Sequence, residues 1–211
     1  MAQQARTDAS HDPASYLYRG RTWKQAIKPF AVRVISALWV RWYKFKYRKK
    51  VRFGRNFVTN GHLVVRGPGR VIFGDDINAW CHAEKNVFIT YSPDALITIG
   101  DRTRLSGSGV QALRRISIGP DCMVGSTIMF DTDFHQVHPV LRHDPTAPVP
   151  CEPINIQRNV WIAGQTAILK GVTIGENSVV AYRAVVAKDV PPNVVVAGNP
   201  AKIVKRLDES D

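Results

Sequence analysis

The sequence predicts an all-β chain, with short parallel strands wound into one coil, entered from a basic, partly helical N-terminal extension and interrupted once by a long loop. Three observations carry this. A branched aliphatic recurs at every sixth residue from Ile156 to Val186. Excess basic charge is confined to the front of the chain. One segment, 136–153, breaks the period and holds five of the thirteen prolines.

The chain has 211 residues, with 29 Lys plus Arg against 17 Asp plus Glu, a net charge of +12. Asp12 and Asp75 bracket 62 residues that contain fifteen bases and no acid, whereas residues 75–211 hold thirteen bases and fifteen acids. A uniformly basic nucleic-acid-coating protein is therefore excluded, and a basic module (1–50) on a near-neutral body (51–211) is expected. Met1 to Pro13 is polar and lacks the apolar core of a secretory signal, so a cytoplasmic location is expected. Cys81, Cys122 and Cys151 are odd in number, without C-x-x-C spacing, and read as free thiols.

Residues 21–50 interleave bases with aromatics and place Phe30, Val34, Leu38, Trp42 and Phe45 at helical spacing. The apolar stretch Ile27 to Val40 carries Lys28 and Arg33 and falls short of the roughly 20 residues that cross a bilayer. Three roles stay open for the segment: a peripheral contact with an anionic membrane, a helical cap whose stripe covers the open end of the coil, and, with least weight, nucleic-acid binding.

The coil itself is read from Ile156, Ile162, Ile168, Ile174, Val180 and Val186. Six aliphatics in six tries has a chance probability of about 1 in 4,000 when roughly a quarter of residues are Ile, Leu or Val, and no helical or period-2 pattern predicts it. The residue after the aliphatic is mostly small (Ala163, Gly175, Ala181, Ala187), and Asn159, Gly171, Asn177 and Asp189 supply types that tolerate a left-handed backbone or a tight corner. Three hexads make an 18-residue unit, which should stack Ile156 on Ile174 and Ile162 on Val180. Upstream, Phe53-Gly54, Phe73-Gly74, Ile99-Gly100 and Ile118-Gly119 mark looser turns, and the coil is expected to begin near Val51.

With Asn-Val-Trp-Ile at 159–162, Gly-Val-Thr-Ile-Gly at 171–175, Lys-Asp-Val-Pro-Pro-Asn at 188–193 and Ala-Gly-Asn-Pro-Ala-Lys at 197–202, the chain resembles the hexapeptide-repeat acyltransferases, in particular sugar O-acetyltransferases of the maltose, galactoside and polysaccharide type. The resemblance covers about residues 51–207. It implies a left-handed parallel β-helix, against the usual right-handed crossover, a homotrimer with active sites between subunits, and acetyl-CoA as co-substrate. It also implies that Trp161 and the backbone of Gly164 meet the cofactor and that Lys188, Lys202 and Lys205 face its phosphates. Tyr182 stands where relatives commonly have Ala or Gly, which would reshape the pantetheine channel.

Acetyl transfer from a thioester to an alcohol needs a base for the hydroxyl proton and donors for the oxyanion. His135, in Asp131-Thr-Asp-Phe-His135, is the natural base, and it matches the family's catalytic histidine. If the segment is extended, Asp131, Asp133 and His135 share one face, and Asp133 would orient the ring. His138 and His143 read as loop residues or acceptor contacts. The expected function is acetyl-CoA-dependent O-acetylation of a sugar hydroxyl, in polysaccharide or glycolipid biosynthesis. The alternatives are N-acetylation of an amino or nucleotide sugar and a non-catalytic trimeric scaffold. A zinc-dependent anhydrase needs three histidines from neighbouring rungs. Here His82 is isolated and His135, His138 and His143 crowd one loop, so no metal is expected.

Overall fold

The computed structural model describes residues 23–207, with side chains from residue 30 onward. The polar start read for Met1 to Pro13 lies outside the described residues.

The chain is a left-handed parallel β-helix with three sheets for faces. The first sheet stacks Val51–Arg52, Arg70–Phe73, Leu96–Ile99, Arg115–Ile118, Ile154–Ile156 and Thr173–Ile174. The second stacks Val58–Thr59, Asn78–Ala79, Arg104–Leu105, Met123–Val124, Trp161–Ile162, Val179–Val180 and Val194–Ala197, and closes on the antiparallel strand Lys202–Arg206. The third stacks Leu63–Arg66, Asn86–Thr90, Gly109–Ala112, Thr127–Phe130, Thr166–Ile168 and Val185–Val186.

The six-residue period becomes register. Ile156 pairs with Ile174, Ile162 with Val180, and Ile168 with Val186. All six side chains are buried, so each turn roofs the apolar interior of the one before it, at about 1.5–3 kcal/mol for each such side chain. Toward the N-terminal end aromatic rings fill the interior: Phe73 stacks on Phe53 at 5.4 Å and meets Phe88 edge-on at 5.1 Å.

One corner explains both the glycines and the left-handed residues. The aliphatic-Gly pairs lie where the next turn passes closest. A Cβ on Gly100 would fall 2.4 Å from Pro120 N, and one on Gly119 2.8 Å from the Gln157 carbonyl. Two residues further on, Asn56, Asp76, Arg102, Asp121, Asn159, Asn177 and Asn193 all hold φ between 54° and 62°. There Asn side chains ladder from turn to turn, with Asn159 Nδ2 2.9 Å from Asn177 Oδ1 and Asn177 Nδ2 2.8 Å from Asn193 Oδ1. Gly171 is left-handed as expected. Asp189 is not among the positive-φ residues. Its carboxylate accepts the Thr173 N–H at 2.7 Å instead, holding the corner with the side chain.

The N-terminal helix, Trp23–Tyr47, lies across the first turn. The stripe that seats it is not Phe30, Val34, Leu38, Trp42 and Phe45, which are all exposed. Ser36, Val40, Tyr43 and Tyr47 face the coil instead. The reason is that the first turn presents backbone groups with no earlier strand to pair them, and these need polar partners. Ser36 Oγ donates to Thr59 O at 3.0 Å and accepts the Thr59 N–H at 2.9 Å. Tyr43 donates to Gly61 O at 2.7 Å, and Tyr47 accepts from Val65 N–H at 3.2 Å. Among the described residues no helix is long and apolar enough to cross a membrane.

Candidate active site

Two groups of predicted site residues lie on different faces of one coil. The first surrounds the base of the 136–153 loop. The chain leaves the third sheet at Phe130 and turns at once. Asp131 is fully buried, and its carboxylate accepts the backbone N–H groups of Leu113, Arg114 and Arg115 at 2.7, 2.8 and 2.6 Å. Phe134 has φ of 61°, so 131–135 is not the extended run that would put Asp131, Asp133 and His135 on one face. The buried anchor at Asp131 is what forces the turn.

Across the loop base Thr132 bridges Cys151, Asp133 N–H donates to Pro150 O at 3.2 Å, and Glu152 N–H to Asp131 O at 2.9 Å. Eighteen residues therefore leave and return through one narrow neck. His135 stands exposed just beyond it, and among the described residues no hydrogen bond reaches its ring. The carboxylate of Asp133, mostly buried, is paired with Lys170 Nζ at 2.9 Å. Lys170 was not singled out from sequence. With the loop excised, the pairing of Met129 with Ile168 places it one turn above Asp131, so register carries the signal. His138 and His143 are exposed in the loop. Phe134 packs edge-on against Tyr91 at 5.3 Å.

The second group lines the outside of the second sheet. Met123, Trp161, Val179 and Val195 occupy equivalent positions on successive turns, and Lys205 stands opposite Val195 on the closing strand. Beside this column runs a second one of small residues, Gly125, Ala163, Ala181 and Ala197; the first three donate their N–H to the turn that follows, and Ala197 pairs with Lys202 on the closing strand. This strip of small residues, here called the trough, runs parallel to the coil axis beside the exposed Trp161 ring and reaches Lys202 and Lys205 on the closing strand. Gly164 sits at its edge, where a Cβ would be 3.6 Å from the Tyr182 ring. Tyr182 is itself covered by the Arg183 guanidinium at 5.2 Å. Lys188 is exposed just past the strand Val185–Val186.

One copy of the chain does not bring these groups together. The third sheet lies between the trough and the loop base. Among the described residues there is no group of three or more His, Cys, Asp or Glu side chains that could hold a metal ion. The three cysteines are free. Burial pushes the Cys122 thiol up to about 11, and burial, then the neighbouring Asp131 carboxylate, raises that of Cys151. A groove of about 880 Å³ between the helix and the first turns, lined by Arg33, Lys44, Arg55 and Asp75 among others, includes none of the predicted site residues.

No protein-family model matches the chain. Galactoside O-acetyltransferase of Escherichia coli (strain K12) is 36% identical over 96 residues, 46% of each chain. The chain thus spans less than half the length of this curated relative. A hexapeptide-repeat acetyltransferase of Vibrio cholerae O1 biovar eltor, solved with acetyl-CoA, matches at 25% identity with a TM-score of 0.56 over 91% of this chain and 93% of that one. The polysialic acid O-acetyltransferase matches at 27% identity with a TM-score of 0.62 over 74% of each. The relatives and structural neighbours are hexapeptide-repeat acetyltransferases, as the motifs at 159–202 indicate.

Proposed function

We propose that the chain is an acetyl-CoA-dependent O-acetyltransferase acting on a saccharide hydroxyl, in the assembly of a polysaccharide or glycolipid on the cytoplasmic side of the membrane. The observation that carries this is the trough of Gly125, Ala163, Ala181 and Ala197 beside Trp161, which ends at Lys202 and Lys205. A floor without side chains admits a slender pantetheine arm. A Trp wall gives it an apolar surface, and two ammonium groups at the end meet phosphates. Lys188, which register stacks on Lys170 at the loop-base corner, lies across the third sheet from the trough and would meet the phosphates from a second copy.

In this reading His135 removes the proton from the acceptor hydroxyl as its oxygen attacks the thioester carbonyl carbon. The Gly164 backbone N–H stabilises the oxyanion. Collapse expels the CoA thiolate, which takes the proton back from the imidazolium. Asp133, held by Lys170, steadies the segment that carries the ring. Since one chain keeps His135 and the trough on separate faces, the working site is completed by a second copy, as in a homotrimer. Tyr182 narrows the channel where a smaller residue would leave it open.

The test is release of free CoA thiol from acetyl-CoA against a panel of saccharides, amino sugars and sugar nucleotides, with His135→Ala as control. Acceptor-dependent release that falls by about 10²–10⁴-fold in the variant supports the reading. Release that survives His135→Ala sinks the role of the base. A preference for amino acceptors would move the assignment to N-acetylation.

A further inference from the structure

The helix Trp23–Tyr47 presents two faces of opposite fate. On the seated face lie Val32, Ser36, Val40 and Tyr43. Two positions after each come Val34, Leu38, Trp42 and Phe45. At 3.6 residues per turn that offset is about 200°, so the second set points directly away from the coil. Phe30 is 70% exposed, Leu38 64% and Phe45 67%, and Val34, Ile35 and Trp42 are exposed with them. The polar groups of the first turn claim the seated face through Ser36, Tyr43 and Tyr47, and the apolar stripe is left without a partner.

Charge states what the stripe would meet. Arg41 lies beside it on one flank and Lys46 on the other, both exposed, whereas Arg33 and Lys44 stand nearer the coil at the groove. No acidic residue occurs from 13 to 74, and among the described residues no ion pair involves the helix. A second copy laid on this stripe would bring base against base with no carboxylate between them. A nucleic acid would find aliphatic Val34 and Leu38 at the centre, where it needs cations and stacking rings.

We propose that this face docks the protein on an anionic lipid surface. The Phe30–Val34–Leu38–Phe45 stripe enters the acyl boundary, and the flanking Arg and Lys side chains meet lipid phosphates. The choice of lipid as occupant rests on the cytoplasmic membrane-side location proposed above. Because the helix caps the first turn, docking would hold the coil by its N-terminal end and leave the trough and the 136–153 loop free.

Flotation of the purified full chain with vesicles of phosphatidylglycerol and phosphatidylcholine in equal parts, against phosphatidylcholine alone, tests this. The expected result is co-flotation with the anionic vesicles that weakens as salt is raised. Leu38→Ser/Phe45→Ser should abolish it, and Arg41→Gln/Lys46→Gln should lower affinity by roughly twenty-five-fold, at about five-fold for each base near the surface. If the apolar pair disturbs folding, as judged by the thermal midpoint, the charge pair still decides. Absence of flotation, or equal flotation on neutral vesicles, overturns the proposal. So does a smaller assembly for Leu38→Ser/Phe45→Ser in size-exclusion chromatography, which would assign the stripe to a second copy. Transfer to free saccharide, read in the same samples, should be unchanged by these substitutions. Its absence in the parent protein would count against the enzymatic reading alone.

Discussion

Lys170 Nζ lies 2.9 Å from Asp133 Oδ2, joining the segment that carries His135 to the next turn of the coil. Both partners are about three-quarters buried at the side chain, so the pair is screened less than a surface bridge and more than a core one. A double-mutant cycle over Asp133→Ala and Lys170→Ala, read by urea denaturation, should give a coupling of about 1 kcal/mol. In the thiol-release assay Lys170→Ala should lower kcat with the KM for acetyl-CoA unchanged, because the lysine touches the base's segment and not the trough. Additive stabilities with unaltered kcat would show that the pair is incidental.

Asp131 is the firmer anchor. Three backbone N–H groups converge on a carboxylate with no exposed surface. Asp131→Ala should therefore cost about 2–4 kcal/mol, since three part-buried donors lose a charged acceptor. Asp131→Asn, which keeps one oxygen but brings an NH₂ toward the donors, should fall between. Urea midpoints measure the cost, and protease nicking within 136–153 should rise in step, because this carboxylate ties the residue at which the chain enters the loop to the preceding turn. A loss below 1 kcal/mol would mean that water replaces it.

What was legible in the sequence divides along the same line. The coil was readable because a six-residue period leaves only one way to bury Ile156, Ile162 and Ile168 together, and their register partners Ile174, Val180 and Val186 fall where the period puts them. The trough was half legible, since small residues after each aliphatic were visible but not that they end at Lys202 and Lys205. That depends on the closing strand running antiparallel. Two readings failed for a shared reason. The helix seats itself by Ser36, Tyr43 and Tyr47, and the 131–135 segment turns on Asp131. In both places unpaired backbone groups of another turn select the contact, and an apolar pattern does not report them.

Tyr43 makes that seat sensitive to alkali. Burial pushes its phenol up to about 12 from the ordinary 10. In the unfolded chain the phenol ionises at about pH 10, whereas the folded chain resists until near 12. Its contribution to stability is thus intact below pH 10 and is lost as pH rises through 12. Thermal melts across this window should show the loss in the parent chain and a flatter profile in Tyr43→Phe. At neutral pH that variant should be less stable by about 1 kcal/mol, the cost of leaving the Gly61 carbonyl without its donor. Parallel alkaline profiles for the two proteins would place the sensitivity elsewhere.

The trough can be tested without touching the base. Ala181 is half-buried on the outer face of the second sheet, its N–H bonded to Val196 O at 2.9 Å, with Ala163 one turn before it and Ala197 one turn after. Ala181→Leu points its branch outward into the trough and adds nothing to the packed interior, so the thermal midpoint should hold. The KM for acetyl-CoA should rise by roughly ten-fold or more, a loss of at least about 1.4 kcal/mol of binding, while the KM for the saccharide stays put. Lys202→Gln should raise the same KM more weakly, and its effect should shrink as salt increases, because a surface charge meeting a phosphate is screened. Isothermal titration with CoA separates binding from turnover in both variants. Unchanged CoA affinity in Ala181→Leu would move the cofactor off this face and leave the small-residue column as a packing feature of the coil's corner.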